Sequence, residues 1–327
     1  GTGIAFVMEC FEEGIINEEI TNGLKLNFGN AEAALELVHQ MARGEGFGVI
    51  VGQGIREMKK IFAEKYGGDP QFLHDIGMEH KGLEVSEYVT KESLAQQGGY
   101  GFTLKGPQHD EAWLIFEDMV RNSIPTFEDK AKALVWFPYW RTWFSLNGLC
   151  KLPWNDVQPT DNKELPIKDP ETGELMRARV PKHVQYYAKY FSAVTGRDAK
   201  PLDLINMSER VYNFQRIFNI RQGKGLREHD SNFPYRGMGP VTEIEYESRR
   251  ERYDKELKED IGIDPSEKST AEKVVILREY RENRYDKLQD EVYDERGWNQ
   301  KGCPTIEKIK ELGIDYDDII KVIEPYQ

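Results

Sequence analysis

Cysteine is scarce in this chain: three residues in 327, at positions 10, 150 and 303. That spacing excludes a zinc or CxxC redox motif, and so few thiols do not build a disulfide scaffold, so a reducing cytoplasm is the expected compartment. Long apolar runs are lacking too. No stretch reaches the roughly 18 to 20 residues needed to span a bilayer, and no basic segment leads into an apolar one, so no membrane role is expected. Clusters of lysine and arginine are missing, and 57 acidic against 44 basic residues give a formal net charge of -13. Nucleic acid is therefore not expected as a partner, because neutralising phosphates requires clustered cations. Repeats, low-complexity tracts, Walker, GxSxG and HExxH motifs are absent, as is any convincing series of alternating strands. The run Gly98-Gly99-Tyr100-Gly101 follows no predicted strand and is poor support for a dinucleotide fingerprint.

What is present is a soluble globular composition, 39% hydrophobic and 31% charged, long enough for one large or two medium domains. The periodicity is helical. Ile4 to Gly14 forms a helix closed by a glycine stop; it follows an opening Gly-Thr-Gly without an initiator Met, which suggests a processed or partial chain, or one subunit of a split protein. Asn30 is a plausible cap for a helix over residues 31–43 that ends at Gly44, and residues 49–66 continue as its antiparallel partner. Residues 73–107 are glycine-rich and of mixed polarity, and predict a loop region. Helices are predicted over 111–122 and over 127–148, the second so rich in aromatics (Trp136, Phe137, Tyr139, Trp140, Trp143, Phe144) that its face must be buried. Prolines and Asp169-Pro170-Glu171-Thr172-Gly173 predict an irregular connection or small hairpin over 153–180. Helices resume over 182–195 and 202–222, the charged stretch 245–295 predicts long exposed helices, and two short helices close the chain. The fold class is mainly α.

Few positions carry chemistry. Cys150 lies in Ser145-Leu146-Asn147-Gly148-Leu149-Cys150-Lys151, where the aromatic helix ends at a glycine and the thiol emerges into a loop. A lone cysteine is ordinarily a small buried hydrophobe, and the alternative is a ligand or nucleophile. His109, in Lys105-Gly106-Pro107-Gln108-His109-Asp110-Glu111, is either a helix-entry residue with a satisfied imidazole or a proton donor and acceptor titrating near neutrality. Glu84 and His80 occupy another loop and have weaker claims.

Further segments share an order and spacing with a known family. They are Ile4 to Glu9 with Gly14-Ile15-Ile16; Ala33 to Leu37 with Gly46-Phe47-Gly48; Lys81-Gly82-Leu83-Glu84; Gly148-Leu149-Cys150; Arg210-Val211-Tyr212-Asn213 through Phe218-Asn219-Ile220-Arg221; and Arg296-Gly297-Trp298 with Gly302 and Pro304-Thr305. In these the chain resembles, over nearly its whole length, the carboxy-terminal half of the aldehyde:ferredoxin oxidoreductase family, tungsten or molybdenum enzymes with a bis-pyranopterin cofactor. The resemblance implies multi-helical domains: residues 1–70 as the end of the family's middle helical domain, and 71–327 as its helical carboxy-terminal domain, with insertions near 153–200 and 245–290.

It also implies a site. In the family an Asp-x-x-Gly-Leu-Cys motif touches one pterin, and its Cys is the fourth ligand of a 4Fe-4S cluster; Gly148, Leu149 and Cys150 match, while Ser145 replaces the Asp. Cys150 is thereby the metal ligand, and Ser145, Gly148, Leu149 and Cys150 are the cofactor-binding set. His109 falls where the family has its substrate-pocket histidine, and Glu84 matches a loop near the cofactor, so His109 and Glu84 are the catalytic candidates. The other three cluster cysteines and a first pterin motif are not in this chain, so the resemblance implies an amino-terminal part of the same enzyme as partner. The implied activity is oxidation of aldehydes to carboxylic acids, with electrons passing through the cluster to ferredoxin or an electron-transfer subunit, in an oligomer. The alternatives are a benzoyl-CoA-reductase-type subunit reducing an aromatic acyl-CoA, and a non-catalytic helical scaffold.

Overall fold

A computed structural model describes residues 1–151, 164–165, 180–181 and 184–327. The protein is mainly α, as the periodicity predicts. The strands described are two-residue antiparallel pairs, Glu79–His80 with Leu83–Glu84 and Glu164–Leu165 with Val180–Pro181. The rest of the connection expected over 153–180 lies outside the described residues. The chain divides into two compact units, each discontinuous in sequence: Gly1–Gln97 with Asn232–Tyr285, and Gly98–Ser231 with Asp286–Gln327. Residue 70, where the sequence reading divides the chain, opens a helix within the first unit.

In the first unit, helices Thr2–Glu12, Ala31–Arg43 and Ile55–Tyr66 bury Phe6, Val7, Leu37, Met58 and Phe62 in one core. The Asn30 side chain accepts the Ala33 N–H and Gly44 closes the same helix in the left-handed conformation, as expected. The single helix expected over 49–66 is two, Gly48–Val51 and Ile55–Tyr66. Gly54, at φ 85, turns the chain between them, a conformation a β-carbon would strain.

One further expectation fails here and another holds in part, since a long helix, Thr270–Arg296, does run through the charged stretch. Residues 73–107 are not one loop: Asp69 caps a helix over Pro70–Ile76, and another spans Leu94–Gly101. The charged stretch beyond 245 is not merely exposed helix, because Tyr246, Tyr253, Leu257 and Leu277 form a second buried cluster. Arg281, buried beside them, donates to the carbonyls of Lys91 and Met238 and to the Glu256 carboxylate at 2.6 Å. Charge here serves the interior, which hydropathy alone does not reveal.

The second unit is organised by the helix Phe127–Leu146. Thr126 and Asp129 form a capping box at its start, and every residue from Ala133 to Phe144 is buried, so over that stretch the helix has no solvent face. Pro138 lies inside it and has no N–H to offer Leu134, four residues back. That carbonyl instead accepts Nη2 of Arg296 at 2.8 Å. The buried Arg296 guanidinium lies 4.6 Å from the Tyr212 ring centroid and 4.9 Å from that of Trp298.

Nearby, Arg216 pairs with Asp230 through two hydrogen bonds of 3.2 and 2.8 Å, both side chains fully buried. Its Nε donates to the Gly302 carbonyl at 2.9 Å. A β-carbon on Gly302, itself at φ 76, would stand 2.5 Å from Arg216 Nη2. The glycines of 98–101 likewise serve packing in a helix rather than a loop: a β-carbon on Gly98 would lie 2.6 Å from Leu134. Helices Val184–Thr195, Pro201–Arg221, Ile306–Glu311 and Asp317–Ile323 match the predicted segments. The helix expected over 111–122 reduces to one π-helical turn, Phe116–Val120.

Candidate functional site

The end of the aromatic helix is a Schellman cap. Gly148, at φ 65, donates to the Ser145 carbonyl at 3.2 Å, and Leu149 donates to the Phe144 carbonyl at 2.9 Å. The chain leaves the buried helix on a fixed turn, and Ser145, Gly148, Leu149 and Cys150 are all exposed. Cys150 is the exposed thiol of the three; Cys10 and Cys303 are buried. Burial pushes the Cys10 thiol well up and that of Cys303 to about 12, so neither offers a thiolate near neutrality. The Ser145 hydroxyl donates to the Arg141 carbonyl at 3.3 Å.

A second loop carries His109, which is half-buried. Its frame is Glu111, whose carboxylate accepts the Leu104 N–H at 3.1 Å and the Lys105 N–H at 3.4 Å. The Thr103 hydroxyl donates to the Gly106 carbonyl at 2.5 Å, and the Asn219 amide to that of Leu104 at 2.7 Å. The loop is held through its backbone, which leaves the His109 position well defined.

These two loops meet. Asp110 accepts from Lys105 at 2.6 Å and from Lys151 at 3.2 Å, and Lys151 directly follows Cys150. Partial burial would raise the Asp110 carboxyl; the Lys105 hydrogen bond and the Lys151 charge outweigh it and hold the group below the usual carboxylate range. Arg141, on the aromatic helix, donates to the Lys151 carbonyl. The structure thus brings the thiol-bearing and imidazole-bearing loops together through residues that the sequence reading did not single out. A hint was available in the alternating charges around His109 and in the lysine after Cys150.

Glu84 belongs to the first unit, unlike the other candidates. Its carboxylate accepts the Ile55 N–H at 3.2 Å, at the start of the Ile55–Tyr66 helix. An anion suits that position, where N–H groups lack partners in the helix. His80 is buried in the same unit, with Nδ1 3.0 Å from the Asn232 carbonyl and its ring edge-on to Phe233.

Among the described residues no group of three or more His, Cys, Asp and Glu side chains could hold a metal ion, and no helix is long and apolar enough to cross a membrane. The donor set tests the fit of an implied iron-sulfur group: Cys150 supplies one accessible sulfur of the type such clusters take, and the two buried thiols do not. Ser145 could offer a pterin only a neutral hydrogen bond, weaker than a carboxylate's.

Comparison with known proteins places the fold. The chain is 24% identical over 323 residues to the tungsten-containing aldehyde ferredoxin oxidoreductase of Pyrococcus abyssi, covering 96% of this chain and 42% of that protein. It is 23% identical over 320 residues to the enzyme of the same name from Pyrococcus furiosus, with the same coverage. The chain therefore spans less than half the length of these relatives. Among solved structures it is similar to the active site complex BamBC of benzoyl coenzyme A reductase in complex with 1,5-dienoyl-CoA, with a TM-score of 0.56 and 19% identity, over 98% of this chain and 44% of that one. The family model for aldehyde ferredoxin oxidoreductase, domains 2 and 3, matches residues 1–314. The chain belongs to the aldehyde ferredoxin oxidoreductase family, of which it carries domains 2 and 3.

Proposed function

We propose that this chain forms part of a tungsten (or molybdenum) bis-pyranopterin oxidoreductase and supplies one thiolate of its 4Fe-4S cluster. The observation that carries the proposal is the exposed Cys150 thiol, in the matched Gly-Leu-Cys motif, directly after a Schellman cap that closes the helix whose residues Ala133 to Phe144 are buried. The relatives' tungsten-containing name supports the metal, and the chain's 42% share of their length supports a partner corresponding to their amino-terminal part.

When bound, the metal and cluster would supply two-electron redox chemistry with one-electron exit, while the protein provides position and protons. In aldehyde oxidation the C–H bond breaks, oxygen from water bonds to carbon, and two electrons and two protons leave. Cys150 would hold the cluster through Sγ. His109 would orient the carbonyl oxygen through its imidazole, whose two ring nitrogens let it both donate and accept a proton there. Gly148 and Leu149, both exposed, would complete the set of residues that meet the cofactor. Ser145 contributes a neutral hydrogen bond at most. Glu84, bonded to the Ile55 N–H, supports the scaffold of its own unit and leaves proton transfer to His109. A ferredoxin or an electron-transfer subunit in the cytoplasm would be the acceptor for the electrons such a cluster carries.

Elemental analysis of the native assembly containing this chain tests the reading. One group-6 metal with about four irons per copy supports it, as one pterin site and one four-iron cluster require. Absence of both from material kept away from oxygen and chelators overturns it in favour of a helical scaffold. Substrate assays then divide aldehyde oxidation from reduction of an aromatic acyl-CoA.

A further inference from the structure

We infer that Asp110 and Lys151 are positioning residues that lock the cysteine loop against the histidine loop, so that Cys150 and His109 are held as one unit. The inference rests on the reading of Cys150 as a cluster ligand, and adds the device that fixes it. The Schellman bonds set the backbone only as far as Leu149. Cys150 comes next, exposed, and none of its own backbone groups enters that cap.

The following residue is tied twice. The Lys151 ammonium reaches Asp110 at 3.2 Å, and the Lys151 carbonyl accepts from Arg141. Arg141 is itself buried, its guanidinium 5.4 Å from the Phe137 ring centroid. On the other side, Asp110 stands between His109 and Glu111, the latter carboxylate bonded to the Leu104 and Lys105 N–H groups. Each tie continues into a rigid element, one into the aromatic helix and the other into the Glu111-framed loop.

Sidedness matters to the argument. Lys105 also pairs with Asp110 but is far more exposed, with 58% of its side chain accessible against 21% for Lys151. Exposed pairs contribute little, whereas a partly buried pair in a fixed frame restrains its residues. Lys151 is therefore the partner through which Asp110 acts on Cys150, and Lys105 is dispensable for it.

The experiment is a double-mutant cycle in the native assembly containing this chain, using Asp110→Asn, Lys151→Met and both together, with Asp110→Glu and Lys105→Met as comparisons. Two readouts apply: amide exchange over 148–151, and the EPR line shape and midpoint potential of the iron-sulfur signal. Either single substitution is expected to speed exchange about fivefold, with the double variant no faster than the singles because they break the same contact. The same variants shift the EPR signal, Asp110→Glu restores it in part, and Lys105→Met leaves it unchanged. Additive effects, or unchanged exchange and spectrum in both single variants, would overturn the inference. Cys150→Ser separates the two levels: if the iron-sulfur signal survives it, the ligand reading fails, whereas the exchange cycle still decides whether the loops are locked.

Discussion

The two units use their polar groups differently. In the first, carboxylates turn inward: Glu84 meets a helix start, and Glu79 takes Lys59 at 3.2 Å, the Arg56 Nε at 3.2 Å and the Gly82 N–H at 2.6 Å. In the second, the strongest charges are also internal, as in Arg216–Asp230, but one end of the aromatic helix leaves a cysteine exposed beside a histidine-bearing loop. A region that satisfies its polar groups within itself is scaffold. A region that fixes a backbone rigidly and leaves a reactive side chain outside it is where chemistry is to be sought.

The comparison breaks first if the interior of the second unit proves soft. Arg216→Met leaves Asp230 charged and fully buried, and is expected to cost about 4 kcal/mol in chemical denaturation. In the first unit, Glu79→Gln removes a buried carboxylate from its three partners and is expected to cost about 3 kcal/mol. Glu79 also sets a pH dependence. Burial raises its carboxyl, but Lys59, the Gly82 N–H and Arg56 together hold it below its ordinary value of 4.5. Its folded value thus lies below the unfolded one, so its contribution is full above about pH 4.5 and is lost as pH falls through the folded value. Acid titration of stability should show a shallower decline below about pH 4.5 in Glu79→Gln than in wild type.

A smaller effect sharpens the role of Arg296. Arg296→Met strands the Leu134 carbonyl and should cost about 2 kcal/mol, and adding Pro138→Ala should recover part of that by restoring an N–H donor within the helix. If the two effects simply add, the arginine is not there to answer the proline. Smallest of all, Ser145→Ala should change stability by less than about 0.5 kcal/mol, since the residue is exposed and its hydroxyl bonds to the Arg141 carbonyl of its own helix.

Such pairings were beyond the reach of periodicity. The helix 127–148 was legible because a face so rich in aromatics has to be buried, though its burial on all sides over Ala133 to Phe144 was not foreseen, and Asn30 and Gly44 announced a helix by type and position alone. Their own sequence settings singled out Cys150 and His109, and the family resemblance suggested the roles proposed for them. It could not tell that Tyr212, Trp298 and Gly302, from the same matched segments, are packed around two buried arginines. Nor could it find Asp110 and Lys151, which lie 41 positions apart and meet only because the helix between them is buried and capped. The misread stretches share a cause. Glycines over 98–101 resemble a loop until one sees the 2.6 Å approach that excludes a β-carbon at Gly98, and the charged stretch beyond 245 hides the buried Tyr246, Tyr253 and Arg281 among side chains that are mostly exposed.

The central claim is that Cys150 is a cluster ligand while Cys10 and Cys303 belong to the core. It is tested most directly by replacing each with serine in the native assembly and measuring iron content and the low-temperature EPR spectrum of the reduced protein. The account predicts that Cys150→Ser loses or reshapes the iron-sulfur signal in a folded protein, while Cys10→Ser and Cys303→Ser keep it. An unchanged signal and full iron content in Cys150→Ser would contradict it.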